Sequence, residues 1–213
     1  ELRHRRILPY AWLMVARDEQ LAMLVQPDRV HRSVYADAAI FELEMERIFG
    51  SAWLVLGHES QVPAAGDFFT TRMGREPVIV ARQGDGSVRV LINRCAHRGA
   101  TVCAESRGRA ERFVCPYHGW SYDTGGKLCA VPVASGYRAE KLSELGLKRV
   151  PRVERYRGFI FASLAASGPG LAEFLGPARA SFDDLVDRAP GGELEIAGGG
   201  FRHAYNGNWK LML

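Results

Sequence analysis

Two short motifs place a thiol and an imidazole close together at two points in the chain. Cys95-Ala96-His97 is followed, after seventeen residues, by Cys115-Pro116-Tyr117-His118. Thiolate sulfur and imidazole nitrogen are the ligands with which proteins hold zinc and some iron–sulfur clusters. The two motifs therefore predict a metal centre built from two loops.

The grouping of these ligands favours a two-iron cluster. A zinc site of the Cys₂His₂ type takes its cysteines from one turn and its histidines from a helix, whereas each motif here mixes the two. A Rieske [2Fe–2S] centre has two cysteines on one iron and two histidines on the other, which two mixed loops can supply. Zinc, or two buried cysteines beside two unrelated histidines, remain as alternatives. The predicted cluster ligands are Cys95, His97, Cys115 and His118.

The remaining cysteines, Cys103 and Cys129, lie outside both motifs. A chain of 213 residues buries enough surface to fold without disulfides. Because the cluster already has its ligands, and because we expect a reducing, cytoplasmic location, both side chains are predicted to be buried free thiols.

Composition and charge exclude several classes of protein. With 47% hydrophobic and 24% charged residues, the chain is typical of a globular protein and not of a disordered or fibrous one. The net charge of +4 comes from arginines spread along the chain, so no nucleic-acid partner is expected. Arg98, Arg107, Arg109 and Arg112 flank the motifs and form either a solvated basic surface or a docking patch for an acidic electron donor.

Residues 1–30 are predicted to be an N-terminal extension. Its apolar run, Ile7–Ala16, is too short to span a bilayer as a helix, so no membrane association is expected. Arg5-Arg6 is compatible with an export signal, but no small-x-small cleavage site follows. An extension that packs or frays is the favoured interpretation.

Hydrophobic periodicity predicts one helix followed by a series of strands. Apolar residues recur at three- and four-residue intervals between Asp37, a capping residue, and Gly50, a stop residue. Short antiparallel strands and hairpins are then predicted at Trp53–Leu56, Phe68–Arg72, Pro77–Arg82, Val88–Asn93, Arg112–Val114, Trp120–Tyr122 and Gly158–Ala162.

The pattern becomes helical again after a loop at Ala166–Gly170, and Pro177 is predicted to start a new helix. Two further strands are predicted at Glu193–Ala197 and Phe201–Tyr205. The apolar run that follows reaches Leu213 without a stop signal, so we expect the chain to be a fragment.

The two loops, Asn93–Ala100 and Cys115–Trp120, closely resemble those of the large (alpha) subunits of Rieske-type non-haem iron aromatic ring-hydroxylating dioxygenases. The resemblance covers roughly residues 30 to 213. Further segments similar to that family, in the expected order, are Val30-His31-Arg32, Gly57-His58-Glu59-Ser60, Gly66-Asp67-Phe68, Leu145-Gly146-Leu147, Arg157-Gly158-Phe159-Ile160 and Asn208-Trp209-Lys210.

The resemblance implies an α+β fold in which a mainly antiparallel-β Rieske [2Fe–2S] domain is joined to an N-terminal helix and to the start of an α+β, helix-grip-like catalytic domain. The expected boundaries are 1–30 for the extension, 31–50 for the helix associated with the catalytic domain, 51–167 for the Rieske domain and 168–213 for the truncated start of the catalytic domain. The mononuclear Fe(II) of the family is expected to have its ligands beyond Leu213, and His203 is not assigned to it.

The resemblance also implies a function and partners. In the family, electrons from NADH reach the cluster through a reductase or ferredoxin and pass to the mononuclear Fe(II), where O₂ is used to hydroxylate an aromatic compound. A homotrimer, or a hetero-oligomer with a small (beta) subunit, is implied. A stand-alone Rieske ferredoxin is the alternative, but such a carrier needs neither the helix at Asp37–Gly50 nor residues 171–213.

The loops differ from those of respiratory Rieske proteins. Ala100 and Tyr117 stand where that class has disulfide cysteines, and Trp120 stands where it has a serine that donates a hydrogen bond toward the cluster sulfur. Fewer hydrogen bonds to sulfur stabilise the reduced cluster less. We therefore expect a reduction potential in the lower part of the Rieske range of about −150 to +300 mV.

Overall fold

The structure, a computed structural model, describes residues 20–138, 142, 144–197 and 204–212. These residues form two compact units, one containing the described residues up to Glu44 together with 204–212, the other the described residues from Met45 onward to 197. The apolar run Ile7–Ala16, residues 201–203 of the last predicted strand, and His203 lie outside the described residues. Within the described part, no helix is long and apolar enough to cross a membrane.

The predicted N-terminal helix is present, and all but its last three residues lie in the first unit. A small hairpin, β1 (Val25–Gln26) and β2 (Arg29–Val30), precedes a short helix α1 (Ser33–Ala36) and the longer α2 (Ala38–Arg47). The carboxylate of Asp37 accepts a hydrogen bond from the Ala39 amide at 2.7 Å, so the predicted capping residue does cap the helix. The helix ends at Arg47, three residues before the predicted stop at Gly50.

The second unit is built from three antiparallel sheets. The strands are β3 (Leu54–His58), β4 (Asp67–Met73), β5 (Glu76–Arg82), β6 (Val88–Ile92), β7 (Arg107–Arg109), β8 (Arg112–Val114), β9 (Ser121–Asp123), β10 (Leu128–Ala130), β11 (Arg152–Tyr156) and β12 (Phe159–Ser163). The largest sheet has the order β6-β5-β4-β7, and the two smaller sheets have the orders β10-β9-β8 and β11-β12-β3.

The four-stranded sheet is buried on both faces. Along β5, Ile79 and Ala81 belong to one apolar cluster, whereas Val78 and Val80 belong to another, because successive side chains of a strand point to opposite faces. The first cluster joins this sheet to β8 and β9 through residues such as Tyr122, and the second joins it to β3 and β12. A central sheet fixed from both sides is a rigid base for the loops at its ends.

Two helices follow the last strand. Helix α3 (Leu171–Leu175) packs through Leu171 in an apolar cluster with Trp53 and Phe161. A 3₁₀ turn, Gly176–Ala178, contains Pro177, and α4 (Arg179–Asp187) begins two residues after that proline. The predicted helix start is therefore displaced by two residues.

One predicted strand is wrong. Residues Glu193–Ala197 are irregular in the structure, although Leu194 and Ile196 alternate with acidic residues as in a strand. The amide of Ile196 donates to the Ser60 side-chain oxygen at 2.9 Å. In a strand, the acceptor would be a backbone carbonyl of the adjacent strand.

Candidate metal centre

The two motifs lie in two loops of the second unit. The first loop runs from the end of β6 at Ile92 to β7, and the second, Cys115–Trp120, joins β8 to β9. The pairing of Val114 with Ser121 closes the second loop at its base. Both loops are therefore anchored by strands that pack on a common core.

Both loops form the same turn. In each, the cysteine amide donates to a carbonyl five residues further on, and a glycine amide four residues further on donates back to the cysteine carbonyl. The four hydrogen bonds are Cys95 N–H to Ala100 O (2.8 Å), Gly99 N–H to Cys95 O (2.8 Å), Cys115 N–H to Trp120 O (2.8 Å) and Gly119 N–H to Cys115 O (2.9 Å). The glycines have φ of 72° and 69°, a left-handed conformation that glycine adopts at little cost. The two motifs therefore form turns with the same backbone hydrogen bonds, although their Cys–His spacings differ by one residue.

The four predicted ligand residues are brought together by these turns. Cys95 and Cys115 are buried in one apolar cluster, with exposed fractions of 4% and 2%. The rings of His97 and His118 lie 4.7 Å apart between centroids, with His97 half-buried and His118 exposed. Two thiols on the core side and two imidazoles on the surface side match the kinds of donor that a Rieske cluster requires.

His97 has a buried nitrogen without a protein partner. Among the described residues, none forms a hydrogen bond with its Nδ1 atom, which solvent does not reach. Its ring stacks on the indole of Trp120, with centroids 4.9 Å apart and planes 4° apart. Burial lowers the pKa of the His97 imidazole below its ordinary value, and the nearby charges of His118 and Arg98 lower it further. A neutral ring with a free buried nitrogen fits a metal ligand.

Tyr122, at the end of a predicted strand, is fully buried on β9 and was not predicted to be part of the centre. Its hydroxyl oxygen is 3.0 Å from Cys95 Sγ and accepts a hydrogen bond from the Ala96 amide at 3.1 Å. Burial raises the pKa of Tyr122, as do its contact with Cys95 and the charges of both loop cysteines, so the hydroxyl keeps its proton. A protonated hydroxyl 3.0 Å from the sulfur of the candidate ligand Cys95 can donate a hydrogen bond to it, in addition to the hydrogen bonds expected from the loop sequences.

Asn93 is a second residue that the sequence interpretation did not assign. Its side chain is 3% exposed and bridges the first loop. The Oδ1 atom accepts from the amides of Val102 and Cys103, both at 3.0 Å, and Nδ2 donates to the Cys103 carbonyl at 2.7 Å. Three hydrogen bonds therefore fasten the two ends of the loop that carries Cys95 and His97.

The two other cysteines differ from each other. Cys103 is a buried free thiol, as predicted, and burial together with hydrogen bonding to Glu105 raises its pKa to about 11. Cys129 is a free thiol too, but it is exposed, and the prediction that it is buried is wrong. It lies on β10, at the edge of a three-stranded sheet, so one side of its strand has no neighbour in that sheet.

The donor atoms of the described residues are not arranged for a single metal ion. Within residues 20–138, 142, 144–197 and 204–212, no group of three or more His, Cys, Asp or Glu side chains is arranged to hold one metal ion. A [2Fe–2S] cluster places different demands on its protein, since each iron takes only two protein ligands. The buried Nδ1 of His97, the paired turns and the mixed donor set fit such a cluster.

Comparison with known proteins gives a consistent assignment. Residues 52–151 match the model of the Rieske [2Fe–2S] domain. The alpha subunit of biphenyl 2,3-dioxygenase from Rhodococcus jostii (strain RHA1) is 44% identical over 187 residues, which is 85% of this chain and 40% of that protein. The chain contains a Rieske [2Fe–2S] domain, and the proteins similar to most of its length are named as aromatic dioxygenase alpha subunits.

The chain is also similar to relatives over regions outside the Rieske domain. The alpha subunit of toluate 1,2-dioxygenase from Pseudomonas putida is 39% identical over 97% of the chain and 45% of that protein. The solved structure of naphthalene 1,2-dioxygenase from Rhodococcus sp. bound to indole has a TM-score of 0.82 and 33% identity, covering 94% of this chain and 46% of that chain. The chain spans less than half the length of these relatives.

Proposed function

We propose that Cys95, His97, Cys115 and His118 hold a [2Fe–2S] cluster. The observation that carries this proposal is the pair of equivalent turns, which buries both thiols in one core cluster and places both imidazoles within 4.7 Å of each other. When bound, such a cluster supplies one-electron redox chemistry. The protein's part is to hold the ligands, exclude water from the sulfur side and present the histidines at the surface.

We further propose that the protein to which this chain belongs is an aromatic ring-hydroxylating dioxygenase. It would take electrons from a reductase or ferredoxin, hold a mononuclear Fe(II) and hydroxylate an aromatic compound with O₂. The names of the relatives support this function, because the proteins similar to 85–97% of the chain are named as dioxygenase alpha subunits acting on biphenyl and toluate. An oligomer, either a homotrimer or one with a small (beta) subunit, is part of the same proposal.

The stand-alone ferredoxin is not favoured. The Rieske model matches residues 52–151, whereas similarity to the naphthalene dioxygenase structure covers 94% of the chain. The flanking segments therefore also resemble an oxygenase. A carrier protein has no use for helix α2 or for the residues after β12.

The predicted division into domains stays a proposal, with 1–30 as the extension, 31–50 as the helix associated with the catalytic domain, 51–167 as the Rieske domain and 168–213 as the start of a helix-grip-like catalytic domain. Contacts inside the first unit support the association of the helix with later residues. Trp209 Nε1 donates to Glu44 at 2.8 Å, Lys210 forms an ion pair with the same carboxylate, and Asn208 Nδ2 donates to the Tyr35 carbonyl at 3.1 Å.

The proposed function is tested with the full-length polypeptide. Supplied with NADH, a donor reductase or ferredoxin, Fe(II) and an aromatic hydrocarbon, it should form a hydroxylated product in step with O₂ uptake. Cys115→Ser should abolish product formation, whereas Cys129→Ser, outside the centre, should not. Donor-dependent reduction of the cluster without product from any aromatic compound would instead favour the electron carrier.

The electron donor is proposed to dock on the basic groove beside the second loop. This groove, of about 470 Å³, is lined by Arg107, Arg109 and Arg112 together with Glu105, and it extends to Pro116, the neighbour of Cys115. All three arginines are exposed, and Arg109 Nε is held by Asp67 at 2.9 Å. A positive groove that leads to the cluster loop suits an acidic partner.

Charge reversal in this groove should slow the donor. With Arg107→Glu/Arg112→Glu, we expect the second-order rate of cluster reduction at low salt to fall about tenfold, because electrostatic steering commonly contributes factors of ~10 to 10³. The rate for the unmodified chain should also fall as salt rises. The matched control is Arg179→Glu/Arg188→Glu, which makes the same charge change at exposed residues of α4 and its end. Equal slowing by both variants would show that only net charge matters.

A further inference from the structure

A short segment after β10 covers the candidate centre. Val131 packs against the apolar cluster that contains Cys95 and Cys115. Pro132 lies against the second loop so closely that a Cβ added at Gly119 would come within 3.1 Å of its Cγ atom. A 3₁₀ turn, Ala134–Gly136, then ends at Tyr137, whose amide donates to the Ala134 carbonyl at 3.0 Å. The backbone thus delivers the Tyr137 side chain to the first loop.

Tyr137 contacts His97 at Nε2, the ring nitrogen other than the buried Nδ1. Its hydroxyl is 3.4 Å from His97 Nε2, and the two rings are nearly perpendicular, at 86°. The Tyr137 ring also meets Trp120 edge to face at 5.4 Å. His97 is therefore bounded by an indole on its face and a phenol at Nε2, while Nδ1 remains available.

The other histidine is held differently. His118 is exposed, and its ring lies 3.9 Å from that of Tyr117 with a tilt of 30°, so that this tyrosine contacts it through ring faces. Each histidine thus has a tyrosine neighbour, but the hydroxyl hydrogen bond is formed at His97. This pair of tyrosines offers a matched comparison.

We propose that Tyr137 is a positioning residue for His97 and tunes the reduction potential of the cluster; this rests on the proposed assignment of His97 as a ligand. A neutral imidazole that binds metal through Nδ1 carries its proton on Nε2, and that N–H donates to the Tyr137 oxygen. Such a hydrogen bond fixes the ring orientation and raises the basicity of the ligand. A more basic ligand stabilises the oxidised cluster relative to the reduced one.

Tyr137→Phe removes only the hydroxyl and should raise the potential. Because 3.4 Å is long for an N–H···O hydrogen bond, we expect a modest effect, about a threefold shift of the equilibrium toward the reduced cluster. For a one-electron couple this corresponds to ~28 mV, measured by voltammetry at one fixed pH. The control, Tyr117→Phe, should leave the potential within half of that shift. Iron and sulfide contents of both variants should equal those of the unmodified chain.

A second readout does not depend on the cluster. In the metal-free chain, the ring protons of His97 lie over the Trp120 indole and should show upfield NMR shifts. Tyr137→Phe should reduce those shifts by releasing the imidazole, and Tyr117→Phe should not. Unchanged potential with unchanged His97 shifts would overturn the proposal for Tyr137. A chain that takes up no iron and sulfide, yet shows the variant-dependent shifts, would overturn the cluster assignment and leave the positioning role intact.

Discussion

The Cys95→Ser and Cys115→Ser variants should be purified without the cluster. The unmodified chain, prepared without chelators, should be red-brown and contain iron and acid-labile sulfide in the amounts of one [2Fe–2S] centre. Cys95→Ser or Cys115→Ser removes a thiolate that bonds directly to iron, and His97→Ala or His118→Ala removes an imidazole of the other iron. Because each iron has only two protein ligands, each variant should lose both irons and both sulfides, as measured by metal and sulfide analysis.

The other two cysteines are the matched controls for this experiment. Cys103→Ser and Cys129→Ser should keep the full cluster content. Cys103 has a pKa of about 11 and so remains a thiol near neutral pH, hydrogen-bonded to Glu105 at 3.3 Å, and Cys129 is exposed on β10. Stoichiometric zinc without sulfide in freshly prepared protein would contradict the cluster and favour the zinc alternative.

The sequence predicts those strands whose ends are marked by the local order of apolar and turn residues. Strands β4, β5, β6 and β8 lie within one residue of their predicted ends, because alternating or continuous apolar residues and intervening turn residues mark them. The proposed ligand motifs are visible in the sequence for a related reason, since each loop provides its own cysteine and histidine within four residues.

Other strands are determined by distant partners. Strand β7 consists of three exposed residues, Arg107–Arg109, and has no apolar pattern of its own. It forms because Arg109 pairs with Asp67 and Arg107 with Phe69, some forty residues earlier. Residues Glu193–Ala197 show the opposite case. Their sequence alternates as in a strand, but no strand among the described residues pairs with them. Pattern alone cannot reveal either outcome.

The residues that contact the candidate centre are harder to predict from sequence than the proposed ligands. Tyr122 reaches Cys95 across 27 positions of sequence, and this contact depends on how β9 packs beside the first loop. One signal in the sequence is the alternation from Trp120 into β9, because Trp120 and Tyr122 lie in the same apolar cluster as the buried cysteines. Asn93 gave a weaker signal, since its hydrogen-bond partners are backbone groups nine and ten residues away.

The Asn93→Leu substitution should destabilise the chain strongly, although it keeps the side-chain volume nearly constant. Asn93→Leu leaves the buried amides of Val102 and Cys103 and the Cys103 carbonyl without their partner. An unsatisfied buried polar group costs about 1–3 kcal/mol, so we expect the free energy of unfolding to fall by about 4 kcal/mol, measured by urea denaturation of the metal-free chain. Since small domains are stable by only about 5–15 kcal/mol, cluster uptake should fall as well.

Two further variants identify the cause of this loss. Asn93→Asp keeps oxygen acceptors for both amides but loses the Nδ2 donor to the Cys103 carbonyl, so it should lose about half as much stability as the leucine variant, ~2 kcal/mol. Asn206→Leu makes the same chemical change at an exposed residue and should stay within about 0.5 kcal/mol of the unmodified chain. If Asn93→Leu were as stable as Asn206→Leu and took up a full cluster, the first loop would be held by its backbone turn alone, and the bridging role of Asn93 would be refuted.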